Sequence, residues 1–286
     1  MNILVTGCNG QLGNEIQLLE KDHSQHVFFN TDIDELDITN QSAIEAFVED
    51  NKIDGIINCA AYTAVDKAES NKELATSLNT IAPAYLAAAV NKRDGWFIQV
   101  STDYVFDGTK HTPYVEDDTP CPNSVYGSTK FAGELGAVKF CAKTMIIRTA
   151  WLYSTFGNNF VKTMMRLGKE KEQLGVIFDQ IGTPTYAHDL AVVIMTAIEK
   201  GIVSGTYHFS NEGVISWYDF TLAIFETAGI THVTVNPVTS VEYGAAAKRP
   251  YNSRLDRSKI REMGFEPLPD WRDALSRYVR ILKEME

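Results

Sequence analysis

An open, doubly wound α/β sheet of parallel strands is the fold this sequence predicts, and three observations predict it. The chain begins with a short apolar strand that runs straight into a glycine turn and then a helical pattern. Short apolar runs then alternate with helix-length stretches as far as residue 150, the rhythm that builds parallel sheets. At 286 residues, 44% hydrophobic and 22% charged, the chain can bury a sizeable core against such a sheet.

Asn2 to Thr6 form the first strand, and Gly7-Cys8-Asn9-Gly10-Gln11-Leu12-Gly13 follows at once. Leu12, Ile16 and Leu19 then recur at helical spacing. Strand, glycine turn and helix in that order suit a dinucleotide. Gly7 permits the tight turn, Gly10 lets the backbone approach a pyrophosphate, and Gly13 allows the helix to pack closely on the strand. The helix N-terminus faces the anion. The second strand, His26 to Asn30, ends near Asp32, about 20 residues beyond the glycines, where a ribose-binding carboxylate is expected. Asp34, Glu35 and Asp37 crowd the same polar segment. Asp37-Ile38-Thr39 precedes a helix near Gln41 to Asp50, with Thr39 or Asn40 as its cap. The third strand, Asp54 to Asn58, leads into Cys59-Ala60-Ala61-Tyr62, where small residues let a cofactor lie against the backbone. An alanine-rich helix from about Lys72 to Lys92 and a fourth strand, Trp96 to Val100, come next.

The stretch from Ser101 to Lys130 carries the chemistry. It reads S-T-D-Y-V-F, a polar run with prolines, then Y-G-S-T-K. Tyr126 and Lys130 are four residues apart and share a helix face. An ammonium beside a phenol favours the phenolate, so the expectation is a Tyr126 pKa below its ordinary ~10. Such a group serves as general acid or base for a carbonyl or an alcohol. The hydroxyl of Thr102, just past the fourth strand, is placed to bind the same oxygen. Tyr-x-x-x-Lys alone is common in helices; the nucleotide-binding opening gives it meaning. Thr144 to Thr149 makes the fifth strand.

After Trp151 the rhythm breaks. Gly157, Asn158 and Asn159 lead into a helix from about Phe160 to Lys171. Short strands (Val176 to Phe178, Thr206 to Phe209) alternate with helices near His188 to Lys200 and Trp217 to Ala228, and an amphipathic helix near Trp271 to Lys283 ends the pattern. The expected division is residues 1–150 as a dinucleotide-binding domain and 151–286 as a smaller α/β substrate-binding domain, with roughly 185–205 returning to the first. Lys248, Arg249, Arg254, Arg257, Lys259 and Arg261 cluster against a single acid, Asp256. The later members read as a solvated face, whereas Arg249 and Arg254, beside Pro250, suit a bound phosphate.

A net charge of −11 argues against general nucleic-acid or anionic-membrane binding. No apolar run reaches the ~20 residues of a bilayer span. The strand at the very start is not a signal peptide. Cys8, Cys59, Cys121 and Cys141 have no Cys-x-x-Cys spacing, which fits a reducing, cytoplasmic setting. His23 and His26 have no ligand cluster around them, and no metal is expected.

Taken together these residues resemble the extended short-chain dehydrogenase/reductase family, with its Rossmann-type fold, over essentially the whole chain. Ala60 to Glu69, Ser101 to Gly108, Gly157-Asn158-Asn159-Phe160 and Arg249-Pro250-Tyr251-Asn252-Ser253 narrow the likeness to its nucleotide-sugar ketoreductases. That resemblance implies reduction of the 4-keto group of dTDP-4-dehydro-L-rhamnose by NADPH or NADH, a step in nucleotide-sugar synthesis for cell-surface polysaccharide. It implies Tyr126 as proton donor, Lys130 as its partner and nicotinamide-ribose ligand, and Thr102 on the substrate oxygen. Asp103, Tyr104, Trp151 and Asn158 would meet the sugar, and Arg249 the diphosphate. Cofactor contacts would fall on Gly7, Gly10, Gln11, Leu12, Asp32, Asp37, Ile38, Ala60, Ala61, Tyr62, Tyr126 and Lys130. The partner implied is the dTDP-sugar itself, with a homodimer as the possible assembly.

Two departures qualify the transfer. The cofactor turn has no arginine or lysine for a 2′-phosphate, and Asp32 would repel one, so NADPH and NADH both stay open. Some relatives bridge subunits through magnesium held by surface carboxylates; Glu15 could belong to such a set, but no companions stand out. Two rivals share the fold. Dehydratases would carry Asp-Glu where this chain has Asp103-Tyr104. The regulatory subunit of methionine adenosyltransferase is a non-catalytic binder, and the complete Thr102, Tyr126 and Lys130 set favours an enzyme instead.

Overall fold

In the computed structural model, which describes residues 1–245, 247–265 and 268–285, the first half alternates strands with helices. It runs β1 (Asn2–Thr6), α1 (Gln11–Leu19), β2 (Val27–Thr31), α2 (Gln41–Asp50), β3 (Gly55–Asn58), α3 (Val65–Ala68), α4 (Lys72–Thr76), α5 (Ala82–Asn91), β4 (Trp96–Thr102), α6 (Val125–Phe140) and β5 (Thr144–Thr149). The second half runs β6 (Leu152–Tyr153), α7 (Phe160–Glu170), β7 (Gln173–Ile177), β8 (Ile181–Gly182), β9 (Thr185–Tyr186), α8 (Ala187–Lys200) and β10 (Gly205–His208). It then continues through β11 (Ile215–Ser216), α9 (Trp217–Ala228), β12 (Thr234–Val238), α10 (Ser240–Tyr243), α11 (Ser258–Glu262) and α12 (Trp271–Met285).

The central sheet has six strands in the order β10-β5-β4-β3-β1-β2, all paired in parallel. The period-2 geometry of a strand decides its two faces. On β1, Ile3 and Val5 face a core shared with Leu12 and Ile16 of α1 and Leu190 and Ile194 of α8. Leu4 faces the opposite core with Ile44 and Val48 of α2 and Leu86 of α5. The sheet is therefore covered on both sides, as a parallel sheet must be. Two pieces of the second half complete it: α8 lies against α1, and β10 pairs with β5. A third core, with Tyr153, Val161, Phe220, Ile224, Trp271 and Tyr278, gathers α7, α9 and α12 into a smaller lobe.

The sheet is the doubly wound one expected, but local readings need correction. The helix expected over Lys72 to Lys92 is interrupted by a π-helical turn, Ser77–Ile81, between α4 and α5. Pro83 has no N–H to give the Asn79 carbonyl, so the regular ladder cannot run through. The freed turn puts the Asn79 side chain to use: Oδ1 accepts the Tyr62 N–H at 2.8 Å, and Nδ2 reaches Thr129 Oγ1 at 3.2 Å. At α2 the cap is Asn40, whose Oδ1 accepts the Ala43 N–H. The strand expected over Val176 to Phe178 is β7, and its partner β12 escaped the sequence reading because Pro237 breaks a strand pattern. Among the described residues no helix is long and apolar enough to cross a membrane.

Candidate active site

A cleft of about 860 Å³ lies over the carboxyl ends of β1, β3, β4 and β5. The chain leaves β1 for β2 on one side and returns to β3 on the other, so the cleft begins at the topological switch point.

At the end of β1, Gly7 has φ +66°, and a Cβ there would stand 2.7 Å from the Ala60 backbone. Gly13 sits so close that its Cβ would meet the Gly7 carbonyl at 2.4 Å. Turn, helix and the β3 loop therefore touch backbone to backbone. Gly10 caps α1 without a side-chain acceptor, and no acid stands in the first turn, which leaves the helix N–H groups for an anion. Gln11 and Leu12 line the cleft beside them. Asp32, just past β2, also lines it, and its Oδ2 accepts the Asn9 N–H at 3.1 Å. Ile38, Ala60 and Ala61 complete this end.

Two expected cofactor contacts lie elsewhere. Asp37 is exposed and outside the cleft lining; its carboxylate accepts the Thr39 N–H and hydroxyl at 2.9 and 2.7 Å, which holds it below the usual carboxylate range. Tyr62 is also outside the lining: its N–H goes to Asn79, its hydroxyl accepts from Asn71, and it packs against the cluster of Ala68, Ala75 and Tyr126. Arg254, read as a phosphate ligand, is turned away too, donating to Asn252 Oδ1 and the His111 carbonyl.

The chemistry gathers at the end of β4. Ser124 caps α6 by accepting the Gly127 N–H, which sets Tyr126 in the first turn, buried and edge-on to Tyr104 at 5.4 Å. Tyr126 and Thr102 both line the cleft here, and the Thr102 hydroxyl is close enough to influence the phenol. Burial pushes that phenol up to about 12, Thr102 partly offsets that, and Asp103 adds to it. The expected lowering by Lys130 is absent, because the Lys130 ammonium donates to the Val100 carbonyl at 2.7 Å instead. Burial takes Lys130 down to about 8, against the upward pull of Glu134 and Cys59. Thr102 Oγ1 donates to Asp103 Oδ1 at 3.0 Å and accepts the Tyr104 N–H. Asp103 is buried and raised to about 6 by desolvation, which the hydroxyls of Ser253 and Thr102 moderate. Its Oδ2 has no hydrogen-bond partner among the described residues.

Trp151 follows β5 with φ +50°, a conformation strained for a large side chain. What holds it is a stack on Trp217 at 3.6 Å and the bare Cα of Gly182, where a Cβ would meet the Trp151 ring at 2.8 Å. Both tryptophans line the cleft. Trp217 was not singled out from sequence as a site residue; the Ser216–Asp219 capping box that places it at the first turn of α9 was the available signal. Asn158 and Arg249 close the rim. Arg249 pairs with Asp66 Oδ2 at 2.8 Å, while its Nε is enclosed without a hydrogen-bond partner among the described residues. Glu15 is buried, its carboxylate accepting from Ser154 at 2.6 Å and meeting His188 Nδ1 at 3.2 Å, so it is not a surface carboxylate.

The family described as RmlD substrate binding domain matches residues 1–284. A dTDP-4-dehydrorhamnose reductase of Aggregatibacter actinomycetemcomitans is 43% identical, covering 96% of each chain. The chain belongs to the dTDP-4-dehydrorhamnose reductase family. Among solved structures, the family's member from Clostridium acetobutylicum superposes with a TM-score of 0.95 at 43% identity, covering 99% of this chain and 100% of that one. The Bacillus anthracis reductase, solved in complex with NADP, gives 0.94 at 42% identity, covering 98% and 99%. The family's match takes in both walls of the cleft, from the glycine turn of the sheet to the smaller lobe.

Proposed function

We propose that this chain reduces the 4-keto group of dTDP-4-dehydro-L-rhamnose to give dTDP-L-rhamnose, with NADPH or NADH. The observation that carries the proposal is the convergence of Thr102, Tyr126 and Lys130 at one wall of a cleft whose other end is a glycine-lined helix N-terminus. Membership of the reductase family over its whole length supports it. The non-catalytic alternative has no comparable support.

The residues present fit a nicotinamide dinucleotide. A Cβ at Gly7 would meet the backbone of Ala60, and the uncapped N–H groups of α1 face the same space, so the pyrophosphate belongs there. Asp32 offers a carboxylate for the adenosine ribose, with Ile38, Ala60 and Ala61 beside it and Lys130 for the nicotinamide ribose. When bound, the cofactor supplies hydride. Everything else falls to side chains of the chain. Thr102 and Tyr126 hold the keto oxygen. Tyr126 keeps its proton through the neutral range and gives it to the oxygen as alkoxide character develops, an alkoxide being the stronger base. Lys130 places positive charge behind the phenol as it loses that proton. Asp103, Tyr104, Trp151 and Asn158 surround the sugar, and Arg249 meets the diphosphate.

Incubation with dTDP-4-dehydro-L-rhamnose and NADPH or NADH carrying deuterium at both C4 positions tests the reaction. Product NMR should show dTDP-L-rhamnose with deuterium at C4; a product without it, or no turnover, would sink the proposal. Tyr126→Phe should lower kcat by roughly 10²–10⁴-fold, the usual worth of a general acid. In the native enzyme kcat/KM should fall as pH rises through about 8, because Lys130 loses its proton there while Tyr126, at about 12, retains its own. A profile flat to pH 10 would contradict those roles. Finally, Asp32→Ala should weaken NADH more than NADPH, since only the former presents a free ribose 2′-hydroxyl to the carboxylate. Fluorescence titration yielding equal losses would show Asp32 to be a loop acid.

A further inference from the structure

Glu134 stands one helical turn beyond Lys130 on α6 and is 2% exposed. Its carboxylate takes three things at once. Oε1 accepts the Ser101 hydroxyl of β4, and Arg148 of β5 donates Nη2 to Oε2 at 2.7 Å and Nε to Oε1 at 3.0 Å. Ser101 and Arg148 are themselves register partners across β4 and β5 and are each 3% exposed. A single buried carboxylate thus ties α6 to two adjacent strands. One turn earlier, Lys130 is held to the carbonyl of Val100, the residue before Ser101. Thr102 is the residue after it. The helix therefore grips β4 at two successive residues, immediately below the threonine that meets Tyr126.

We propose that Glu134 is a positioning residue for the reduction: it fixes α6 against β4 and β5, and so fixes Lys130 and Tyr126 against Thr102. The inference rests on the roles given above to Lys130 and Tyr126. A packing residue would fit this place as well with an apolar side chain; an isolated buried charge would not, and Arg148 cancels it. The carboxylate also gives Lys130 a second service. The ionisable groups that face Lys130 are Glu134 on its own helix and Cys59 after β3, with Tyr126 one turn earlier; Arg148 faces Glu134 from β5, and Asp103 faces Tyr126 from beyond β4. Glu134 is the stronger of the two influences that keep the ammonium charged.

The test uses a variant that leaves no unpaired charge, Glu134→Gln combined with Arg148→Met, since replacing both partners of a buried pair is tolerated far better than removing one. The folded double variant should lose roughly 10–100-fold in kcat, the scale of about 1 Å of misplacement. KM for the dTDP-sugar should stay close to native, and because a carboxylate and its paired guanidinium leave together, a loss in kcat reports position and not a changed net charge beside Lys130. A folded double variant with native kcat overturns the proposal. Should it not fold, Ser101→Ala decides by removing only the β4 attachment: a several-fold loss in kcat at unchanged KM supports the role, and native kcat overturns it. Lys130→Met separates the two levels. If that variant keeps native kcat, the reading of Lys130 fails whatever Glu134 does.

Discussion

Taking a phenol and an ammonium out of water side by side disfavours the charged form of each, and the site depends on that pressure. Burial leaves Tyr126 holding its proton to about 12 and Lys130 giving up its own near 8. Bare proximity would have produced the opposite for the phenol, a lowered pKa and some phenolate at neutral pH. A protonated phenol is what a ketone reduction needs, because the oxygen that receives the proton becomes strongly basic only as the carbonyl is reduced. Burial thus keeps Tyr126 in its protonated form.

The rest of the structure delivers reactants to that acid. The parallel sheet opens at its switch point, where a glycine turn and a helix N-terminus meet an anionic cofactor. The smaller lobe brings the other wall: a strained Trp151 braced by Trp217 and Gly182, and Arg249 braced by Asp66. In a chain of net charge −11, Lys130 and Arg249 are the cations among the described cleft residues. In the roles proposed above they would meet negative charge at two places, the developing alkoxide and the diphosphate. Long-range attraction is thus given up for local, directional binding.

Much of this was legible in the sequence, wherever a local pattern has one physical solution. A strand entering G-x-x-G-x-x-G can only turn tightly into a helix, and alternating short strands with helices can only build a parallel sheet. Thr102, Tyr126 and Lys130 stood out because their types and spacing declare a chemistry, and all three line the cleft. The rest depended on which hydrogen-bond partners, and how much burial, each side chain finds once the chain is folded. Asp37, expected among the cofactor contacts, accepts instead from Thr39, and Arg254, expected at a phosphate, donates to Asn252 and His111. Tyr62 is turned aside by Asn79, which a π-turn ahead of Pro83 makes available. Trp217 lies 66 positions from Trp151, its stacking partner, and no periodicity links them. The sign of the Tyr126 shift failed for the same reason: burial and the Val100 carbonyl are tertiary facts.

Proton delivery in the proposed reduction depends on Tyr126 keeping its proton at neutral pH. With tyrosine labelled at the ring carbon bearing the hydroxyl, carbon NMR of the native protein against Tyr126→Phe assigns its signal and follows its ionisation directly. The signal should remain that of a phenol up to about pH 11, with ionisation centred near 12. A Tyr126 resonance that titrates below its ordinary value of about 10 would contradict the account, since Lys130 rather than burial would then govern the acid.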